Sequence, residues 1–204
     1  CCFFRNIVCC AFIMLTSSSL LAAWVANAEA GMLKNGEITV SFEKDKSYLG
    51  GIVLKKLIQS PNEQFSLNSL ADIEKDTGLV PTTLGSCFAS WNNNLVSYVL
   101  PASLRKIEDR AFSMCKKVRN VPNLPPELEE IGYEAFFANE SAKGSIVIPK
   151  NIRVIEKNSF YGCGNAIGIH FTQGSKLERI EDGAFKRCHC VDGTLDLSIC
   201  KNLK

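Results

Sequence analysis

In the second half of the chain, two hydrophobic patterns follow one another in a fixed order. A short run of alternating apolar and polar residues, seen in Leu95-Val-Ser-Tyr98-Val-Leu100, ends at Pro101. Isolated apolar residues, Leu104 and Ile107, come next, and then the pair Ala111-Phe112. The order returns with Leu128, Ile131 and Ala135-Phe136, with Ile152, Ile155 and Ser159-Phe160, and with Leu177, Ile180 and Ala184-Phe185. The four phenylalanines are spaced 24, 24 and 25 residues apart. Counting back 24 from Phe112 reaches Phe88, preceded by Cys87, with Thr83 where the Ile should stand, so this stretch reads as a degraded earlier copy. Alternation at Tyr98/Leu100, Ile146/Ile148, Ile169/Phe171 and Leu195/Leu197 predicts strands of three to five residues. Pro101, Pro125 and Pro149 end such runs because proline cannot donate to a ladder.

A unit of this length cannot bury its own apolar face. Stacked units can, because equivalent residues then lie over one another and each Phe packs on the Phe of the next coil. The expected fold class is therefore α/β: a leucine-rich-repeat solenoid with a parallel sheet of short strands, few regular helices and β-rich coils. Strands of successive coils are expected about 4.8 Å apart. The small residue before each Phe predicts a tight turn.

The segment Leu95 to Cys115, with Leu100-Pro101, Leu104, Ile107, Ala111-Phe112 and Cys115 in phase, resembles the repeat of BspA-like leucine-rich-repeat surface proteins. The resemblance covers about residues 80 to 204. It implies an exported or cell-surface protein of a bacterium or a parasitic protist, adhesion to host matrix or cells, and no catalysis. Asn139 in place of the column Cys, Ser159 in place of Ala, and the missing Pro in the fourth copy depart from the pattern.

The first part of the chain has no such period. Residues 1–28 read as a secretory signal peptide, with apolar runs Ile7–Leu15 and Leu20–Ala26 and a small-x-small exit at Ala26-Asn27-Ala28. An uncleaved membrane anchor is the competing reading, and either way the remainder is exported, secreted or held at the cell surface. Residues 29–78 are expected to be an N-terminal flank that covers the open end of the solenoid, which itself spans 79–204 in about five coils. A small separate module is the sharper alternative. Glu37–Glu43 alternates as a strand, Tyr48–Gln59 carries apolar residues at helical spacing, Ser60-Pro61-Asn62 reads as a turn, and Ser66–Asp76 reads as a short helix ended by Gly78. The chain opens on Cys1 and stops inside a period, which reads as a segment of a longer product.

Charge changes this picture little. A net charge of +2 on 204 residues supplies no basic patch for nucleic acid. The residues between the Leu and Ile columns change sign from copy to copy, from Arg105/Lys106 to Glu129/Glu130, Arg153 and Glu178/Arg179, and so read as a variable solvated face. Outward strand positions Val99, Asn123, Val147, His170 and Asp196, one per coil, are the expected protein-binding face. The expected partner is a protein ligand such as a host extracellular-matrix glycoprotein, and contact with membrane is expected only through the N-terminal signal or anchor. A structural envelope or spacer protein without a host ligand is the alternative.

Candidate chemistry is sparse. The two histidines, His170 and His189, assemble no catalytic constellation, and there is no Gly-rich phosphate loop. Cys188-His189-Cys190 with Cys200 has poor spacing for zinc, so no metal, cofactor or catalytic residue is expected. Four of the ten cysteines leave with residues 1–28. Cys115, Cys163 and Cys188 form a repeat column, and adjacency of the last two permits a Cys163–Cys188 disulfide in an exported protein.

Overall fold

The computed structural model describes residues 23–59, 62–189 and 195–204. Cys1, Cys2, Cys9, Cys10, most of the signal segment, the turn at Pro61 and Cys190 lie outside them. The described residues form a strand-rich fold with few helical residues. Its elements are β1 (Val25–Asn27), β2 (Met32–Asn35), β3 (Ile38–Lys44), β4 (Gly51–Gln59), β5 (Phe65–Leu67), a 3-10 turn (Asn68–Asp72), α1 (Ile73–Thr77), β6 (Val80–Leu84) and β7 (Leu95–Tyr98). Then follow β8 (Lys106–Ile107), β9 (Glu130–Ile131), β10 (Lys143–Ile148), β11 (Val154–Ile155), β12 (Asn165–Phe171) and β13 (Arg179–Ile180).

Repeats stack through two strand columns and one turn column. The strands at the end of each alternating run pair in parallel, β5 with β7 and β10 with β12, the latter placing Val147 beside His170 and Ile148 beside Phe171. At Leu195/Leu197 no strand forms. The second column was not legible in the alternation. It consists of the five-residue β6, ending on Leu84, and two-residue strands ending on the Ile positions, with β6, β8 and β9 in one parallel series and β11 paired to β13.

The turn column carries the Ala-Phe pairs. Arg110, Glu134, Asn158 and Gly183 lie two residues before each Phe, and Met114, Ala138, Gly162 and Arg187 two residues after. All eight have positive φ, between 53° and 71°. With that alternation every second amide faces the next repeat. Arg110, Phe112 and Met114 donate to the carbonyls of Tyr133, Ala135 and Phe137 at 2.9, 2.8 and 2.7 Å. The same three bonds recur at the next two interfaces. Left-handed conformation costs a non-glycine residue roughly 1–2 kcal/mol, and this ladder together with Phe burial offsets it. The small residue before Phe is enclosed, Ala111, Ala135 and Ser159 being fully buried, as the tight turn predicted.

Within the turns the rings stack. Phe112–Phe136, Phe136–Phe160 and Phe160–Phe185 have centroids 6.0, 5.3 and 5.5 Å apart and planes within 15° of parallel. Each buried ring contributes roughly 1.5–3 kcal/mol through area removed from water. Phe88 breaks the rule, meeting Phe112 edge-on at 69°. The reason is a register of 23 residues at the first step, where the sequence reading counted 24. Leu84, not Thr83, lies beside Ile107, and the Ala89 amide, not that of Phe88, takes the Phe-column bond, to Ala111.

The flank does not form the helix expected over Tyr48–Gln59. That segment is β4, paired antiparallel on one edge, to β3, and parallel on the other, to β6. Its two register shifts against β3 skip Lys55 and Ile58. Each bulge moves the alternation by one place, so Leu54 and Leu57 both face inward three residues apart and imitate a helical period. Leu54 pairs with Leu84, so the Ile column continues into the flank. Outside β4, the meander β1-β2-β3 closes the sheet edge. The expected strand near Glu37–Glu43 appears as β3, while the helix expected over Ser66–Asp76 begins instead as β5 and the 3-10 turn, and only α1 follows, ending at Gly78 in left-handed conformation.

One hydrophobic core runs from Trp24 to Cys200. Trp24 is 2% exposed; its indole N–H donates to the Ser69 carbonyl at 2.6 Å and its amide to Asp76 Oδ2 at 2.9 Å. Cleavage after Ala28 would separate this residue and β1 from the fold.

Candidate binding surfaces

The stack presents two faces on which a partner could dock. The first is built from the strand column at β7, β10 and β12. Inward residues Leu100, Ile146, Ile148 and Phe171 are buried there, which turns the alternate residues outward. All five sequence-predicted positions, Val99, Asn123, Val147, His170 and Asp196, are exposed. Val147 and His170 are direct neighbours across β10 and β12. Val99 is 44% exposed and Val147 49%. Of the five expected strand positions only Val147 and His170 lie on strands; Val99, Asn123 and Asp196 lie outside any strand, and the Asp196 carboxylate accepts the Ser198 amide at 2.9 Å. The sequence reading missed Ile167, 51% exposed on the same strand as His170. It faces outward because β12 bulges: Ala166 pairs with Gly144 and Gly168 with Ser145, leaving Ile167 between them. Strict alternation could not have found it.

The second face carries the short strands β8, β9 and β11. A groove of about 1140 Å³ runs along it, lined by Arg105, Lys106, Glu130, Tyr133, Arg153 and Lys176 among others. The charges that read as a variable solvated face are organised between repeats. Lys106 Nζ lies 2.7 Å from Glu130, Arg110 Nε 2.8 Å from Glu134, Arg105 3.6 Å from Glu129 and Lys116 3.5 Å from Glu140. Arg153 pairs with Glu178 in the following repeat, and Lys150 reaches back to Glu127 at 3.7 Å. A sign that inverts from one copy to the next is what cross-repeat pairing requires. Hydrogen bonding to Glu130 raises the Lys106 pKa. Burial works to raise the Glu134 pKa, but hydrogen bonds from Tyr133 and Arg110 outweigh it and hold the carboxyl low. Such pairs lock registry between coils more than they add stability, since exposed pairs contribute about 0–1 kcal/mol each.

Gly132 opens this face. A Cβ there would stand 2.5 Å from Asp109 Oδ1 and 2.7 Å from the Asp109 nitrogen. Its absence lets Asp109 Oδ1 accept the Tyr133 amide at 2.9 Å, and the Tyr133 ring lies 5.1 Å beneath the Arg110 guanidinium.

The flank reaches the groove rim. Asp45 accepts hydrogen bonds from the amides of Ser47 and Tyr48 and from the hydroxyls of Thr82 and Thr83. Partial burial raises its pKa, but the Thr83, Ser47 and Thr82 hydrogen bonds prevail and hold it below the usual carboxylate value. The Tyr48 hydroxyl donates to Glu129 Oε2 at 3.3 Å, and burial with the charge of Glu129 pushes its pKa to about 12.

The cysteine column lies inside the stack. The thiols of Cys115, Cys163 and Cys188 donate to the carbonyls of Ala89, Phe136 and Phe160, one repeat back. Asn139, in the column's gap, accepts the Cys115 amide through Oδ1 at 3.0 Å, so it is a functional substitute and not a lapse. Cys163 and Cys188 are free thiols. His189 is exposed, and no group of metal-ligating side chains converges among the described residues. No helix among them is long and apolar enough to cross a membrane.

The family model for the BspA type leucine rich repeat region matches residues 82–203 in six copies. Two solved structures are similar at 14% identity. One is a leucine rich cell surface protein from Faecalibacterium prausnitzii A2-165 (TM-score 0.47, covering 85% of this chain and 53% of that one). The other is a leucine rich repeat protein from T. pallidum (TM-score 0.44, covering 69% and 83%). The chain spans about half the length of the first of these. No curated protein matches.

Proposed function

Since the chain belongs to the BspA type leucine rich repeat family, we propose that it is an exported or cell-surface solenoid that binds other proteins and attaches its cell to a host, without catalysis. Its ligand class is protein, with extracellular-matrix glycoproteins as the first candidates. Residues 29–78 act as the cap of the solenoid, and the apolar N-terminal segment directs export. The observation that carries the binding reading is the set of exposed side chains on and beside the strands β7, β10 and β12, where apolar Val99, Val147 and Ile167 are accompanied by polar Asn123, His170 and Asp196. Apolar surface flanked by polar groups is the composition of a docking face. The mechanism is surface complementarity over several repeats, with no bond made or broken.

Binding of the purified chain to immobilised matrix glycoproteins tests this reading. The triple change Val99→Glu, Val147→Glu and His170→Glu should weaken binding at least tenfold and leave the thermal midpoint near its starting value. Binding unaffected by the triple change moves the site to the charged groove. Absence of binding to any host surface favours a structural envelope or spacer role.

A further inference from the structure

Cys163 and Cys188 hold the same place in successive repeats, each three residues after its Phe. The backbones on either side are tied together, the amides of Phe160 and Gly162 donating to the carbonyls of Ala184 and Lys186 at 2.9 and 2.8 Å. Each thiol is aimed along the stack, Cys163 Sγ 3.4 Å from the Phe136 carbonyl and Cys188 Sγ 3.2 Å from that of Phe160.

From this juxtaposition we propose that Cys163 and Cys188 are an oxidation site, a reversible disulfide staple between adjacent repeats formed by exchange with a low-molecular-weight disulfide. The pairing is selective among the described cysteines. Cys115 faces Asn139 in the next repeat, not a thiol. Cys115 and Cys163 are two repeats apart, about 10 Å at the strand spacing, beyond the reach of a disulfide. Cys200 has Ser175 as its neighbour, Sγ to Oγ 3.7 Å, and Cys87 lies on the exposed side of the first turn.

Burial sets the order of events. Cys163 is fully enclosed, whereas Cys188 is half-buried and reachable. Cys188 loses its proton and its thiolate attacks one sulfur of the incoming disulfide; that S–S bond breaks and one thiol leaves with the proton. Cys163 then loses its proton and attacks the Cys188 sulfur of the mixed disulfide, and the second thiol leaves. Two protein thiols are oxidised and one small disulfide is reduced to two thiols, with no other reactant. The unequal surroundings favour this order: the neighbouring Cys163 lowers the Cys188 pKa, while the neighbouring Cys188 and burial raise that of Cys163. An oxidising extracellular setting, part of the proposed function, is where it would close; the chemistry itself does not depend on any ligand.

The test is incubation of the full chain with oxidised glutathione, alkylation of remaining thiols and peptide mapping without reduction. A peptide cross-linked through Cys163 and Cys188 is expected, opened again by reduced glutathione. Cys163→Ser should stop at a glutathione adduct on Cys188, and Cys188→Ser should leave Cys163 unmodified. Protection of Cys115 from alkylation in both variants reports that the stack is intact. Recovery of both thiols alkylated after oxidation would overturn the proposal, as would a bond from Cys188 to any other cysteine, Cys190 included. Loss of adhesion with the cross-link present would count against the binding reading alone.

Discussion

The repeat stack and the N-terminal flank share one core and one strand-pairing series, yet they reach it by opposite means. In the stack the core positions are filled by columns, Leu104/Leu128/Ile152/Leu177 and Phe112/Phe136/Phe160/Phe185, and backbone ladders tie each repeat to the next. In the flank no residue type recurs, and closure depends on single long-range contacts such as Trp24 to Ser69 and Asp45 to Thr82 and Thr83. The junction is β4, which accepts an antiparallel meander on one edge and the parallel series on the other. The contrast teaches that periodic packing spreads stability over many equivalent contacts, whereas the aperiodic flank concentrates it in a few.

Removing a central element of the column should show the largest effect. Phe136→Ala should cost about 3–5 kcal/mol, measured by chemical denaturation, because its ring is stacked on both sides. A loss below about 1 kcal/mol would mean the stack relaxes around the gap. Trp24→Ala should cost about 3 kcal/mol despite lying near the beginning of the described residues. A chain starting at Glu29 should lose at least as much, and equal stability of the two chains would show that the flank stands without β1. Asn139→Ala should cost about 1–3 kcal/mol, because it leaves the Cys115 amide buried without its acceptor.

Two smaller effects sharpen the contrast through electrostatics. The folded-state pKa of Asp45 lies below its ordinary value of 3.8. The stabilisation it brings is therefore fully present above that unfolded value and is lost as pH falls through the lower folded one. Melting curves between pH 5 and pH 2 should thus be less pH-dependent for Asp45→Asn than for the parent chain. An identical pH dependence would remove Asp45 from the junction. Glu130→Gln, which breaks the pair with Lys106 across two repeats, should cost less than about 1 kcal/mol, and the difference should fade in high salt.

How much of this was visible beforehand follows the same division. The period of Phe112, Phe136, Phe160 and Phe185 exposed the stack because repetition multiplies a weak local signal. The same reliance on period misplaced Thr83, since a one-residue shortening at Phe88 leaves the residue types nearly unchanged and only the pairing of Leu84 with Ile107 shows it. The helical spacing in Tyr48–Gln59 came from two bulges, which sequence periodicity cannot distinguish from a helix. On the candidate faces, the outward direction of Val99, Asn123, Val147 and His170 was readable from alternation. Ile167 was not, and the pairing of the Lys106 and Glu130 charges needed the distance between neighbouring repeats.

The sequence by itself determined that this chain stacks repeats, which residues fill the columns and which strand positions turn outward. These follow from period, because a unit of some two dozen residues has only its neighbours to bury its apolar side chains against. Tertiary structure decided the rest: the register of the first repeat, the double role of β4, the left-handed pairs around each Phe, and the unequal burial of Cys163 and Cys188. Each of these depends on what lies one repeat away in space, where backbone ladders and side-chain contacts select among conformations that local residue preference leaves open.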